Sequence, residues 1–507
     1  MTTKKKYYIT TPLYYVNAAP HLGHAYTTIA ADVLARFHRM RGEPTHLLTG
    51  TDEHGQKIEE AAKAAGKTPQ EFCDEISARF RALWSRLDVR FDDYIRTTET
   101  RHEDRVRELF LRLKERGDVY KGTYRGWYCV SDETYFTEVE AAPDEKGRRL
   151  CPNPECRKPL SQVSEESWFF KLSKYQRPLL DHYRAHPGFL RPSHRAPEVL
   201  RFVEAGLQDL SISRQKVKWG VPVPGDESHT IYVWFDALIN YWSAAAGTDD
   251  LWPADVHIVG KEIFRFHAVI WPAMLMAAGL PLPGQVFAHG WWTVDGDKMS
   301  KSKGNFVDPD AVVAEFGVDA FRYFLLREMP FGNDGDYSKG ALLRRFNSEL
   351  VNDLSNLVYR VETMVDKYTG GRLPGKPPET GEDYAKSVAA RAGEVADKTA
   401  ALDFHGALET IWEVLRGLNA HVDHTKPFKL AKTDPAACEA VLGELVRSLR
   451  IVAGWLDPFM PQTAAKIQMQ LGVRRVPDAL TADDVLAGVD EHPQVIQKAP
   501  PLFMRKA

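Results

Sequence analysis

Two short runs carry residue types suited to phosphate chemistry. His21-Leu22-Gly23-His24 stands where a β-prone run hands over to a helical pattern. A helix start offers unpaired N–H groups and a partial positive charge, which attract anions. Residues three apart share one helix face, and Gly23 leaves room for a flat ring against the backbone. Taken alone, two such histidines are more often incidental. Far downstream, Lys298-Met299-Ser300-Lys301-Ser302-Lys303 follows Asp295-Gly296-Asp297. Three lysines spaced by small residues read either as a solvated turn or as a clamp on a polyphosphate. Neutralising charge as pyrophosphate leaves is the main demand of nucleotidyl transfer. A third group, Cys129, Cys151 and Cys156, is close in sequence, which in a reducing compartment points to metal.

The elements that must position these groups follow from the patterning. Residues 7–10 read as a strand and 12–20 as a loop, with Pro20 placed to start a helix. Ile29, Val33, Phe37 and Met40 predict one apolar face of that helix. Gly42 and Pro44 stop it, and 46–49 reads as the next strand. Strand–helix–strand of this length is a βαβ unit, so the sheet is expected to be parallel, with its site at the strands' C-terminal ends. Residues 70–87 and 101–116 read as helices. From Gly117 the texture turns to glycines, aromatics, cysteines and prolines, the mark of an insertion. The α/β texture returns at 229–234 and 256–260, and beyond 340 the pattern is helical apart from a proline-rich loop at 370–381. The expected class is α/β. A Rossmann-type parallel-sheet domain (1–116 and 226–275) is interrupted by a small inserted domain (117–225). A linker with the lysine run (276–340) and an α-helical bundle (341–507) follow.

Composition bounds the function. The 507 residues are 44% hydrophobic and 27% charged, a globular balance. With 66 basic and 69 acidic residues the net charge is −3, so any nucleic-acid site must be a local patch. The longest apolar stretch, 268–282, is broken by Pro272 and Pro281 and falls short of the ~18–20 residues that span a bilayer. No membrane is expected. No apolar signal core follows Met1, so the expected address is the cytoplasm.

Together, the histidine pair and the lysine run resemble the class I aminoacyl-tRNA synthetases. Thr49-Gly50-Thr51-Asp52-Glu53-His54-Gly55, Tyr232-Val233-Trp234-Phe235-Asp236-Ala237, Gly260-Lys261-Glu262-Ile263-Phe264-Arg265-Phe266-His267 and His289-Gly290-Trp291 look like the methionyl-tRNA synthetase family, over essentially the whole chain. The resemblance implies that methionine's carboxylate attacks the α-phosphate of ATP, pyrophosphate leaves, and the acyl group passes to the terminal ribose of tRNA. It places His21 and His24 on the phosphates, with Gly23 beside them. Lys298 and Lys301, with Ser300, would hold the departing pyrophosphate. Gly260 and Glu262 would meet the ribose and base, and Mg²⁺ would accompany ATP.

The same resemblance supplies a methionine site from three segments. Leu13 and Tyr15 come from the first; Trp234, Ala237, Leu238 and Tyr241 from the second; Ile263, Phe266 and His267 from the third. A thioether is polarizable and packs well on rings, although any single ring here serves equally as sheet core. Asp52 would accept hydrogen bonds from the substrate ammonium. One methylene yields only ~1–3 kcal/mol of selectivity, so homocysteine is the expected competitor.

Asn352, Asn356 and Arg360 recur every fourth residue, on a face other than that of Phe346, Leu350, Leu354, Leu357 and Val361. Amides and guanidinium read base edges, and these three match the family's anticodon positions. Phe428 stands where the family commonly has tryptophan; a phenyl ring stacks with less surface. The implied partner is tRNA(Met) with a CAU anticodon. The family's appended C-terminal domain is not seen, so a monomer is expected. In the insertion the family carries a zinc knuckle of paired cysteines. Here Cys129 is followed by Asp132 and Cys151 by Cys156. Three thiolates and one carboxylate complete a zinc tetrahedron; the alternative is a degenerate knuckle held by packing, without Zn²⁺. A synthetase for valine, leucine or isoleucine would need a larger editing insertion, and the cysteine enzyme a zinc in its amino-acid pocket. A non-catalytic RNA-binding paralogue would be expected to erode the histidines or lysines, and both stand intact.

Overall fold

The aromatic run Tyr7–Thr10 forms strand β1, Tyr14–Tyr15 forms β2, and the chain then enters helix α1, Leu22–Met40, before β3, Thr45–Asp52. The strand–helix–strand opening is as expected, with a short strand inside the segment read as loop. The helix begins not at Pro20 but at Leu22, capped by His21. Its single apolar face is corrected: every residue from Ala25 to His38 is buried, while Met40 is only half-buried. Ala25, Ala30, Ala31 and Ala35 keep the helix slim, so neighbours close-pack around it.

The structure is a computed structural model. It describes residues 6–17, 19–131, 134–136, 141–144, 146–153, 156–248, 250–298, 307–372, 384–472, 495–496 and 498–507. It has two compact units. The first holds residues 1–20, 46–84 and 91–288; the second holds 21–45, 85–90 and 289–507.

In the first unit, helix α2 (Pro69–Arg86), strand β4 (Asp93–Arg96) and helix α3 (Thr100–Glu115) follow β3. Then come strands β5 (Val119–Cys129), β6 (Ser161–Phe170) and β7 (Leu190–Arg191), helix α4 (Val233–Leu238), and strands β8 (Val256–Gly260) and β9 (Gln285–His289). Seven strands form the main sheet, and the pairings β1–β8, β2–β3, β3–β4 and β7–β9 are all parallel. Tyr15 lies opposite Asp52 in this register, at the C-terminal ends of β2 and β3. The sheet takes β7 from the segment expected as an insertion and β9 from beyond residue 275. β5 and β6 pair antiparallel from Val119↔Phe170 to Tyr128↔Ser161. One hydrophobic cluster runs from Tyr8, Leu48 and Ile95 through Phe110 to Phe170, Leu179 and Val203, so this part of the insertion shares the sheet's core. A small cluster of Cys129, Ala141, Cys151 and Leu160 stands apart from it.

In the second unit α1 packs against α5, Val318–Arg327, and the helix Ala392–Ala400. Arg322 of α5 is wholly buried and makes four hydrogen bonds. It donates to Asp32 Oδ2 at 2.7 Å, Leu87 O at 3.1 Å, and Phe459 O and Pro458 O at 3.0 Å. A buried guanidinium so satisfied fixes α1 against its neighbours. The helical pattern beyond 340 becomes α6 (Asn356–Thr369), α7 (Phe404–Thr425), α8 (Pro427–Thr433) and α9 (Pro435–Leu456). The stretch Phe346–Ser355 is a π-helix, not the α-helix its spacing predicts. Four-residue spacing falls between the α and π periods, so Phe346, Leu350 and Leu354 are buried in either form. Among the described residues no helix is long and apolar enough to cross a membrane.

Candidate active site

The first turn of α1 builds its own geometry. His21, the N-cap, accepts at Nδ1 from the Gly23 N–H at 3.1 Å, and the His21 N–H donates to His24 Nδ1 at 3.2 Å. This is a capping box in which two imidazoles replace the usual hydroxyl and carboxylate. The rings stack with centroids 3.7 Å apart. A Cβ at position 23 would sit 3.0 Å from His21 Cε1, so any larger residue would press on the ring. Because both Nδ1 atoms accept, each ring carries its proton on Nε2. Burial, then the neighbouring His21, holds His24 well below the ordinary histidine range. The turn therefore presents neutral N–H donors beside a helix N-terminus.

One group downstream supports this turn. His289 Nε2 lies 2.7 Å from Thr27 Oγ1, and Thr27 Oγ1 is 3.1 Å from the Gly23 carbonyl. The short strand Asp297–Lys298 pairs with Trp292–Val294, which also pairs with Gly335–Tyr337. The backbone of Lys298 is thus at a hairpin end, opposite Thr293. The Lys298 side chain, Ser300 and Lys301 lie outside the described residues.

In the first unit the ring-rich segments form one stacked pair and one hydrogen-bonded pair. Trp234 on α4 lies flat on Phe266, with centroids 3.9 Å apart and planes within 13°. Tyr241 Oη donates to His267 Nε2 at 2.7 Å, and His267 Nδ1 donates to the Ile263 carbonyl at 3.0 Å. Burial pushes His267 down to about 4 and the Tyr241 hydroxyl well up. His267 is therefore neutral in one fixed tautomer. Phe266–Ile270 is a π turn, a form often found where a helix must present side chains to a site. Ala237, Leu238, Tyr241 and His267 are buried, whereas Leu13, Tyr15, Trp234, Ile263 and Phe266 are half-buried. Leu13, Ile263 and Phe266 pack on the cluster that contains Leu238 and Tyr241. Asp52 is buried at the end of β3, close enough for its charge to help raise Tyr241. At the end of β8, a Cβ on Gly260 would collide with the Glu262 carboxylate, so Glu262 folds back over a bare backbone.

Sequence reasoning missed the network beside these rings. His54 Nδ1 lies 2.6 Å from Asp236 Oδ2, and His102 Nε2 lies 2.8 Å from Asp236 Oδ1. His102 Nδ1 reaches Ser243 Oγ at 3.1 Å. Burial works against charge on both His54 and Asp236. Their mutual attraction outweighs it, raising His54 and lowering Asp236 to about 2. The motifs containing His54 and Asp236 were the available signal, but nothing in spacing joins residues 182 apart.

Elsewhere, the three sulfurs of Cys129, Cys151 and Cys156 lie within 4.8 Å of one another, with Cys129 and Cys156 at 3.4 Å. Zinc–thiolate bonds of about 2.3 Å imply tetrahedral S···S separations near ~3.8 Å, so the donors fit that metal. Asp132 lies outside the described residues. Asn352 and Asn356 are exposed, and Arg360 donates to Asp423 at 2.6 Å. Phe428 is 40% exposed.

The family model "tRNA synthetases class I (M)" matches residues 7–362. A methionine–tRNA ligase from Caldanaerobacter subterraneus subsp. tengcongensis is 46% identical, covering 99% of this chain and 79% of that protein. One from Streptomyces coelicolor is 46% identical, covering 96% and 93%. Among solved structures, Mycobacterium tuberculosis methionyl-tRNA synthetase in complex with methionyl-adenylate superposes with a TM-score of 0.92 at 42% identity, covering 99% of this chain and 100% of that one.

Proposed function

This chain belongs to the class I methionine–tRNA ligases, and from that premise we propose how its own residues divide the reaction. The enzyme activates L-methionine with ATP to methionyl-adenylate and transfers the methionyl group to tRNA(Met). The observation that carries our reading of its specificity is the buried Asp52 carboxylate, whose charge reaches Tyr241 of the Tyr241–His267 pair, together with the stacked Trp234–Phe266 rings. A carboxylate suits the substrate ammonium. The rings offer the polarizable surface a thioether prefers, and neutral His267 adds no charge to repel it. Leu13, Tyr15, Ala237, Leu238 and Ile263 complete this subsite.

For the phosphates, the Nε2–H groups of His21 and His24 stabilise negative charge as it develops during attack on the α-phosphate. Lys298, Ser300 and Lys301 take the departing pyrophosphate, Gly260 and Glu262 hold the nucleoside, and Mg²⁺ arrives with ATP. No covalent bond forms between enzyme and substrate, so the protein's work is positioning and charge stabilisation. The direct test is pyrophosphate exchange with each of the twenty amino acids. Methionine-dependent exchange is expected; exchange with a different amino acid, or with none, rejects the reading.

Asn352, Asn356 and Arg360 read the CAU anticodon, with Phe428 stacking on a base. Phe428→Ala is expected to lower the charging efficiency of tRNA(Met) about tenfold while leaving pyrophosphate exchange intact. Unchanged charging would reduce Phe428 to packing. Cys129, Cys151 and Cys156, with Asp132, would hold one structural Zn²⁺ that organises the hairpin and takes no part in the chemistry. One zinc per chain, lost in a Cys151→Ser, Cys156→Ser variant, is the expected assay. We also read the enzyme as a cytoplasmic monomer.

A further inference from the structure

We infer that Asp236 is a positioning residue for methionine recognition: it locks the strand end carrying Asp52 to the helix carrying Trp234. The inference rests on the reading of Asp52 and Trp234 as methionine contacts. Asp236 is 0% exposed, so it cannot touch the substrate itself. Its two oxygens are divided between two elements. Oδ2 takes His54, two residues beyond Asp52, and Oδ1 takes His102 on α3. Trp234 lies two residues before Asp236 on α4, and Ala237 follows it. His102 in turn meets Ser243, whose Oγ donates to the Ile239 carbonyl at 3.0 Å. The Trp219 ring stands edge-on to His54, and its indole N–H donates to the Glu53 carbonyl. Every neighbour of the carboxylate thus lies on an element that carries a methionine contact or braces one.

The arrangement fixes one distance, that between the ammonium acceptor and the thioether ring. A carboxylate is suited to the task because one rigid group accepts from two donors arriving from different elements. It is also neutralised in place, by a histidine whose ring is held on the far side by Trp219. A small error in that spacing weakens binding of one substrate without disturbing the other. A general loss of packing would lower stability and disturb both.

The experiment compares Asp236→Asn and Trp234→Ala with the parent enzyme in pyrophosphate exchange, together with melting temperatures. Asparagine keeps the size but offers one acceptor in place of two. Asp236→Asn is expected to raise KM for methionine about tenfold and to hold KM for ATP within about twofold. Preference for methionine over norleucine should fall in parallel. An unchanged methionine KM, or an equal rise for both substrates, in a folded Asp236→Asn enzyme overturns the inference. If Trp234→Ala raises methionine KM while Asp236→Asn does not, the positioning role fails and the subsite reading stands. If Trp234→Ala leaves methionine KM unchanged, the subsite reading falls and takes this inference with it. Should Asp236→Asn be unfolded at the assay temperature, His54→Phe carries the same comparison, because it keeps a ring against Trp219 but removes the donor to Asp236 Oδ2.

Discussion

The two compact units use histidine in opposite senses. In the second, His21 and His24 stack at a helix start and accept from backbone amides, and burial holds His24 well below the ordinary histidine range. In the first, His54 is buried, yet its pKa is raised because Asp236 lies 2.6 Å away. The comparison teaches that burial alone does not decide the charge of an imidazole. The partner of Nδ1 does: an N–H donor forces the neutral form, and a carboxylate favours the cation. His267 shows that the difference is not one between units. It lies in the first unit but faces a carbonyl and a hydroxyl, and sits at about 4. Neutral donors suit a site that must accept a polyphosphate and then release it; a charged pair suits a fixed brace.

The largest effect should come from breaking the neutral pair. His24→Ala is expected to lower kcat for exchange by about 10²–10³-fold with methionine KM unchanged, since one donor to the developing charge is lost. His21→Asn separates catalysis from capping, because asparagine is itself a good N-cap. Its melting temperature should match the parent's while its rate falls, and an unchanged rate would leave His21 a structural cap only.

A smaller effect is expected from Tyr241→Phe. It removes the donor to His267 Nε2 and strands a buried acceptor, at about 1–3 kcal/mol. Methionine kcat/KM should fall by about tenfold or more, with ATP kinetics unmoved. Equal effects on both substrates would show that the hydrogen bond serves the fold and not the subsite.

The smallest effect should be seen in stability against pH, and its sign distinguishes the two senses. Asp236 falls to about 2 in the folded chain, so its contribution is present above an unfolded value of about 3.9 and is lost as pH falls through about 2. His54 is raised, so its contribution is complete below about 6.5 and is lost as pH rises through the higher folded value. The melting-temperature gap between the parent and Asp236→Asn should therefore be widest between about pH 4 and 6.5 and close on both sides. A gap that is flat with pH would mean that the pair is not ionised.

Much of the architecture was legible in the chain. The βαβ opening, the parallel sheet and the helical bundle follow from patterns of apolar residues within single elements. The full burial of α1 was not, because its surroundings come from helices some 300 residues later, beyond the reach of any local period. The π-helix at Phe346–Ser355 escaped for another reason: a spacing of four residues satisfies both helix types. Leu190–Arg191 joins the main sheet from within the presumed insertion, and a two-residue strand leaves no periodicity to read.

The candidate site divides in the same way. The sequence alone determined the turn at His21, Gly23 and His24, because an N-cap, a residue three further on and a glycine between them interact within one helical turn. It also brought Asp52 to a strand end, through the alternation of short elements, whereas the strand that ends at Tyr15 lay in a segment read as loop. Only the tertiary structure decided which imidazoles are neutral, that Tyr241 meets His267, and that Asp236 faces both His54 and His102. Those outcomes depend on desolvation and on contacts between segments far apart in the chain. Their energies are set by the topology that brings the segments together, not by the identity of neighbours along the chain.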